Sequence, residues 1–259
     1  IIIMFVTIFL TNMKLSINLN KIALLRNSRG SNNPDIEEYA RTALEFDILG
    51  LTAHPRPDNR HITYDDLVRI KQLTSEYSKE FNIEGNPQET KSSNYKGFIS
   101  LIKEFKPTQA TLVPDATNQL TSDHGWEIQD LNSAHYIQNI KKNCDRCSVF
   151  INAGANLNEL TNDSIDSIEI YTGPFAEAVK QNNTQFIKNE LSKIIYTSEI
   201  AKERNMRVNA GHDLDLINLP YLIDTNLIDE VSIGHAIISE SLNQGFEKTI
   251  NQYIELING

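Results

Sequence analysis

Residues 48–81 read ILGLTA (48–53), then HPRPDNRHIT (54–63), then YDDLVRIKQLTSEYSKEF (64–81). A short apolar run comes first, a polar segment follows, and a stretch with amphipathic helical spacing follows that. Thr63 stands where it can cap the helix, with Asp65 and Asp66 in the first turn, and acidic residues favour a helix N-terminus. The unit is a strand, a loop and a helix. A strand followed by a crossing helix sets up a parallel sheet.

Working outward, the same unit recurs. Apolar, β-rich runs occur at Leu15–Leu19, Ile48–Ala53, Phe81–Gly85, Gln109–Val113, Ser148–Asn152, Ser167–Tyr171, Met206–Ala210 and Glu230–Ile233. Between most of them lie stretches with helical periodicity, at Ile36–Phe46, Tyr64–Phe81, Gly97–Phe105, Gln185–Glu203 and Ser239–Ile257. Asp35 after Pro34 opens the first of these with Glu37 and Glu38 in its first turn. The polar, Ser-rich stretch Lys91–Lys96 reads as a loop before the third helix. No long linker or low-complexity segment divides the chain. Eight βα units in one α/β domain spanning 13–259 fit a closed barrel of the (β/α)8 TIM type, with a doubly wound open sheet as the alternative.

The chain has 259 residues and a net charge of −10, with 24 Lys+Arg against 34 Asp+Glu. An acidic surface repels phosphodiester backbones and anionic lipid, and no local basic patch overrides it, so neither nucleic acid nor a membrane is an expected partner. Two cysteines cannot build a disulfide framework, which fits a reducing cytoplasm. Cys144 and Cys147 have the spacing of half a metal site, and a four-cysteine zinc site needs two more than the chain has. The apolar Ile1–Leu10 lacks the basic flank and cleavage site of a signal peptide and is too short to span a bilayer. Residues 1–12 therefore read as a non-native or disordered extension ahead of Met13.

In a parallel barrel, chemistry gathers at the carboxyl ends of the strands. Asn18, Asn20 and Lys21 close the first run, His54 and Arg56 the second, and Glu84 the third. Thr121 follows the fourth after a loop, Glu169 lies in the sixth, His212 ends the seventh, and Gly234 and His235 end the eighth. Four of the six histidines, His54, His61, His212 and His235, fall in or beyond such positions. Histidines beside a glutamate can give and take protons near neutral pH, and a desolvated Glu84 would act as a base with a raised pKa. Arg26, Arg29, Arg56 and Arg60 cluster in the first two strand-end loops of an otherwise acidic chain. Guanidinium groups bind phosphate bidentately, and the turn at Gly234 leads into a helix whose amides suit a second phosphate. The bland alternative is a loop glycine, with arginines paired to Asp58 or Glu38.

These residues carry a resemblance. The segments NLNKIALLRNSRG (18–30), HPRPDNRHI (54–62), FNIEG (81–85), NAGH (209–212) and SIGHA (232–236) resemble, in order, the pyridoxine 5′-phosphate synthase family of the deoxyxylulose-dependent vitamin B6 pathway. The likeness runs from Lys14 to near the C-terminus. It implies a barrel with extra helices, a homo-oligomer (an octamer), and condensation of 1-deoxy-D-xylulose 5-phosphate with 3-amino-2-oxopropyl phosphate. The products are pyridoxine 5′-phosphate, phosphate and water, and the reaction calls for no cofactor and no metal. On this resemblance His54 and Glu84 match proton acceptors, His212 a proton donor, and Glu169 a transition-state stabilising carboxylate. Arg56, His61 and Thr121 match contacts to the deoxyxylulose phosphate. Asn18, Arg29, Gly234 and His235 match contacts to the amino ketone phosphate. The chain departs from the family's common pattern at Asn20 and Lys21, where Asp and His are usual, and at Asp213, where glycine is frequent; substrate contacts are carried to these three positions as well.

Two other readings compete on the residues. A sugar-phosphate aldolase of the Schiff-base type needs a strand-end lysine, for which Lys21 is the candidate. A non-catalytic phosphate-binding barrel needs the arginines but not His54, Glu84 and His212 together.

Overall fold

The eight strands expected from the sequence all form in the computed structural model, which describes residues 13–92, 94–116 and 119–259. They are β1 (Lys14–Asn18), β2 (Gly50–Ala53), β3 (Glu80–Gly85), β4 (Gln109–Leu112), β5 (Arg146–Asn152), β6 (Ser167–Tyr171), β7 (Arg207–Gly211) and β8 (Glu230–Ile233). Each pairs in parallel with its neighbour in chain order, and β8 returns to β1 with Ser16 opposite Ser232. That last pairing closes the barrel and removes the open-sheet alternative. The extension expected at residues 1–12 lies outside the described residues.

Helices fill the crossovers. α1 (Asn20–Asn27) and α2 (Ile36–Leu44) follow β1, α3 (Tyr64–Glu76) follows β2, and α4 (Phe98–Phe105) follows β3. α5 (Ile128–Ser133) and α6 (Tyr136–Lys141) follow β4, and α7 (Gly173–Lys180) and α8 (Thr184–Glu203) follow β6. α9 (Leu219–Ile223) follows β7, and α10 (His235–Gln244) and α11 (Phe246–Asn258) complete the chain. Thr63 and Asp66 form a reciprocal capping box at α3, and the Asp35 side chain caps α2 through the Glu37 amide. The helix expected over Ser239–Ile257 is two helices. Gly245, at φ +89°, breaks the ladder between them, a conformation that a side chain disfavours. The helix expected to run to Phe81 stops at Glu76, because Ser78 turns left-handed (φ 54°) and Glu80 already belongs to β3.

The strands have two unlike faces. Leu15 and Ile17, Leu51 and Ala53, Phe81 and Ile83, Val149 and Ile151, Ile168 and Ile170, and Val231 and Ile233 are all buried in the hydrophobic core. Their alternate neighbours Ser16, Thr52, Asn82, Thr111, Gln109, Ser148, Ser167 and Asn209 are equally buried but polar. The second set faces the barrel axis. Ser16 and Thr52 hydroxyls lie 2.9 Å apart, Thr111 donates to Asn82 at 3.0 Å, and Asn209 on β7 reaches across to Gln109 on β4 at 3.4 Å. Barrels of this kind usually fill their axis with branched apolar side chains. Here the axis is polar and largely hydrogen-bonded within itself, which avoids a cost of about 1–3 kcal/mol for each buried group that is paired, while Ser148 Oγ and Asn209 Oδ1 find no partner among the described residues.

At the amino-terminal end of the strands this interior is closed by ion pairs. Arg146 binds Glu80 and approaches Glu230 at 4.0 Å, while Arg207 approaches Glu230 at 3.6 Å. Glu230 is 2% exposed. At the opposite end lie the residues singled out from the sequence.

Candidate active site

The first strand-end turn is built by asparagines. Asn18 ends β1 and its Oδ1 accepts from the Asn20 amide at 2.9 Å; Asn20 opens α1 and its Oδ1 accepts from the His54 amide at 2.9 Å. Two short side chains thus fix where β2 delivers His54. Asn18 Nδ2 also donates to Glu84 Oε2 on β3 at 3.4 Å. His54 Nδ1 lies 3.7 Å from that same Glu84 oxygen. The ring of His61 stands edge-on to His54 with centroids 6.0 Å apart, and His61 Nδ1 is buried without a hydrogen-bond partner among the described residues.

A second group comes from β6 and β7. Glu169 is 4% exposed and its Oε2 has no hydrogen-bond partner among the described residues. Its Oε1 packs against Gly211 so closely that a Cβ there would come within 2.2 Å, which is why β7 ends in glycine. His212 follows with φ +83°, a costly conformation for a residue with a side chain. Surrounding contacts hold it: the Thr172 hydroxyl lies 2.6 Å from the Gly211 carbonyl and 2.5 Å from that of His212, and the ring packs between Phe150 and Tyr171 at 5.6 and 5.5 Å. Backbone strain concentrated at a strand end is characteristic of functional sites.

Burial sets the protonation states. It pushes the Glu84 carboxyl up to about 8, with the charges of Asp115 and Glu230 adding and Arg56 opposing. Glu169 is driven well above the usual carboxylate range by burial, then by Glu84 and Glu230. His54 is held well below its usual value by burial and by the charge of Arg56, and His61 is brought down to about 3 for the same reasons, with His54 adding. His212 is also lowered by burial and by Lys21 and Arg56, with Asp213 and Asp115 pulling the other way. At neutral pH the mouth therefore presents neutral imidazoles facing carboxylic acids, a set that can exchange protons in either direction.

The arginines behave differently from the expectation of a free cationic cluster. Arg26 lies inside α1 rather than in a loop and is buried against Asp66, with Nη2 to Oδ2 at 2.8 Å. Arg60 binds Asp58 at 2.7 Å and the carbonyls of Gln119 and Leu120. Arg56 is buried, ion-paired with Asp115, and donates to the Gln119 carbonyl at 3.1 Å. Arg29, two residues beyond α1, is exposed and has no ion-pair partner among the described residues. The paired-arginine alternative is correct in kind for Arg60 with Asp58, whereas Arg26 and Arg56 take Asp66 and Asp115.

Of the remaining expected residues, Lys21 is half-buried on α1 and its charge reaches His212. Gly234 packs on Asn18, where a Cβ would come within 2.9 Å, and His235 begins α10, whose N-terminus has no side-chain cap. Free amides at such a helix start suit a phosphate. Thr121, Asp213 and His235 are exposed and lie at the rim. Asp115, Phe150, Tyr171 and Thr172 were missed. Asp115 is the first charge after β4 in Val113-Pro114-Asp115, so the strand-end rule that singled out Thr121 applies to it sooner. Among the described residues no grouping of His, Cys, Asp and Glu could hold a metal ion.

Comparison with known proteins gives the arrangement its family. Solved structures of similar shape include tryptophan synthase from Mycobacterium tuberculosis, with TM-score 0.61, 9% identity and coverage of 96% of this chain and 94% of that one. Thiamine phosphate pyrophosphorylase from Pyrococcus furiosus is another, with TM-score 0.58, 13% identity and coverage of 95% and 96%. At such identities the likeness is one of fold alone. Among curated proteins, the pyridoxine 5′-phosphate synthase of Xanthomonas oryzae pv. oryzae is 42% identical over 250 residues, covering 95% of this chain and 97% of the relative. That of Cytophaga hutchinsonii is 42% identical over 245 residues, covering 93% and 97%. Residues 15–259 match the family model described as pyridoxal phosphate biosynthesis protein PdxJ. With a closed eight-stranded barrel and 42% identity along nearly the whole chain, the protein belongs to the PdxJ family of pyridoxine 5′-phosphate synthases.

Proposed function

We propose that this barrel condenses 1-deoxy-D-xylulose 5-phosphate with 3-amino-2-oxopropyl phosphate, releasing pyridoxine 5′-phosphate, phosphate and water by general acid–base catalysis. The observation that carries the proposal is the convergence of His54, Glu84 and His212 from β2, β3 and β7 on one end of the barrel, beside Arg56, in a chain of this family. Joining an amine to a ketone, losing water and phosphate and aromatising the ring each need protons to be added or removed as the C–N, C–C and C–O bonds form and break. Neutral His54 accepts a substrate proton relayed through Glu84, whose Oε2 lies 3.7 Å from its Nδ1. Glu84, protonated at neutral pH by its burial, gives one and then takes one back. His212 serves as the donor once a phosphate dianion beside it offsets the burial that now keeps it neutral. Glu169, kept protonated by its burial, stabilises the transition state through the hydrogen bonds of its carboxyl group.

Arg56 and His61 hold one phosphate. Arg29 and the amides opening α10, beside Asn18 and Gly234, hold the other. Fixing two dianions in one cleft converts a bimolecular encounter into an intramolecular one, which accounts for much of the acceleration. Lys21 adds positive charge near the deoxyxylulose phosphate. The same reading has the protein acting as a cytoplasmic homo-oligomer, which size-exclusion chromatography with light scattering tests. For the reaction, protein started at Met13 is mixed with both substrates while pyridine absorbance and phosphate release are followed. Stoichiometric appearance of both is expected; binding of both phosphates with no ring product overturns the proposal.

A further inference from the structure

Asp115 lies just beyond β4 and is 5% exposed, with its backbone carbonyl accepting from Asn86 Nδ2 at 2.7 Å. Its oxygen Oδ2 meets two groups at once. It forms the ion pair with Arg56, and it stands 3.5 Å from His54 Nε2. On the other side of the same imidazole, Nδ1 stands 3.7 Å from Glu84 Oε2. Both ring contacts lie just beyond ordinary hydrogen-bond length, and catalytic contacts of this kind shorten in the substrate complex.

The two carboxyl groups flanking His54 are not equivalent. Asp115 has a guanidinium against it, so it acts as an acceptor only. Glu84 has an asparagine amide and, among the described residues, no Lys or Arg in contact, and burial favours its protonated form. A neutral imidazole has one N–H and one lone pair, and the hydrogen bond made by one nitrogen decides the state of the other. An acceptor at Nε2 puts the proton there and leaves the lone pair on Nδ1, facing the Glu84 carboxylic acid. The remaining charges around this trio are Arg56 and Arg60 from the β2 loop, Asp58 beside them, His212 from β7, and Glu169 and Glu230 from β6 and β8.

We propose that Asp115 is a positioning residue that holds His54 with its proton on Nε2 and its lone pair on Nδ1 directed at Glu84, while seating Arg56 at the barrel mouth. The proposal rests on the function proposed above only for its kinetic readout. Two-bond proton–nitrogen correlation spectra of 15N-histidine-labelled protein report the tautomer directly, with His54 identified by the signal lost in His54→Asn. In the unsubstituted protein at neutral pH the proton is expected on Nε2; finding it on Nδ1 overturns the proposal whether or not any variant folds. Asp115→Ala removes the acceptor and is expected to mix the tautomers and lower kcat by about 10²-fold, within the range of one general base. Asp115→Asn keeps an oxygen in place and is expected to retain the tautomer and stay within several-fold of the parent kcat. An unchanged His54 tautomer in folded Asp115→Ala overturns the idea. If the unsubstituted protein shows the Nε2–H form but makes no pyridoxine 5′-phosphate, the assigned reaction fails and the tautomer assignment stands.

Discussion

The two ends of the barrel hold similar side chains under opposite rules. At the amino-terminal end of the strands, half-buried Glu80 and buried Glu230 meet Arg146 and Arg207, and each carboxylate has a guanidinium within 4.0 Å. At the mouth, Glu84 and Glu169 are buried, and among the described residues neither has a Lys or Arg in contact. Burial moves Glu230 to about 7 against the pull of Arg146 and Arg207, whereas Glu84, with only Arg56 opposing, reaches about 8. A buried pair that loses one partner is strongly destabilised, while a buried acid left unpaired stays protonated and ready to react. One end pairs its carboxylates with cations; the other leaves its acids without them, the arrangement that the proposed proton transfers use.

The largest expected effect lies at the mouth. His54→Asn should retain circular dichroism and melting temperature but lose about 10²–10⁴-fold in kcat for ring formation, the contribution typical of one acid–base group. A fully active variant would break the contrast at its strongest point. Next comes the opposite end: Arg146→Met leaves Glu80 without its guanidinium and Glu230 with Arg207 alone, and should cost about 1–3 kcal/mol in chemical denaturation, with kcat of the folded protein changed by only a few-fold. A large loss of kcat without loss of stability would merge the two ends into one functional unit.

Smaller and more discriminating is the pH dependence of stability. The folded protein holds the Glu84 proton more tightly than the unfolded chain, about 8 against an ordinary 4.5, so stability is lost as pH rises through that window. Glu84→Gln removes the titration. Its melting temperature should exceed the parent's above pH 8, by the equivalent of about 1–3 kcal/mol, and the gap should close towards pH 5. A gap independent of pH would mean that Glu84 is ionised throughout. The smallest effect expected is at Lys21→Ala, where removing a half-buried charge near His212 should raise KM for the deoxyxylulose substrate several-fold and leave stability within about 0.5 kcal/mol. Unchanged affinity and turnover would remove Lys21 from the substrate contacts.

Much of this was open to reading beforehand. The βα alternation showed all eight strands, because a buried parallel strand needs a short run of β-formers whatever surrounds it. Short helices were harder. α1, α5, α6, α7 and α9 span five to eight residues and lack the clear apolar stripe that Phe98, Leu101, Ile102 and Phe105 give the equally short α4, so the sequence pattern puts Arg26 in a loop although it lies in α1. The alternate Ser, Thr, Asn, Gln and Glu of the strands were visible in the sequence, yet an apolar run interrupted by polar residues does not say which face looks inward. The site's members were legible as polar residues after strands; their partners were not. Arg56 with Asp115 is separated by 59 residues and Arg26 with Asp66 by 40, and no local pattern encodes such pairs.

The sequence by itself determined the eight-unit alternation, the positions of the strand ends and the kinds of chemistry available there, since these follow from local periodicity and residue type. Only the tertiary structure decided which charges are neutralised, which carboxyls are left without a cation, and which imidazole nitrogen faces which acid. Those properties depend on distance and on exclusion from water, and closing β8 onto β1 creates both at once.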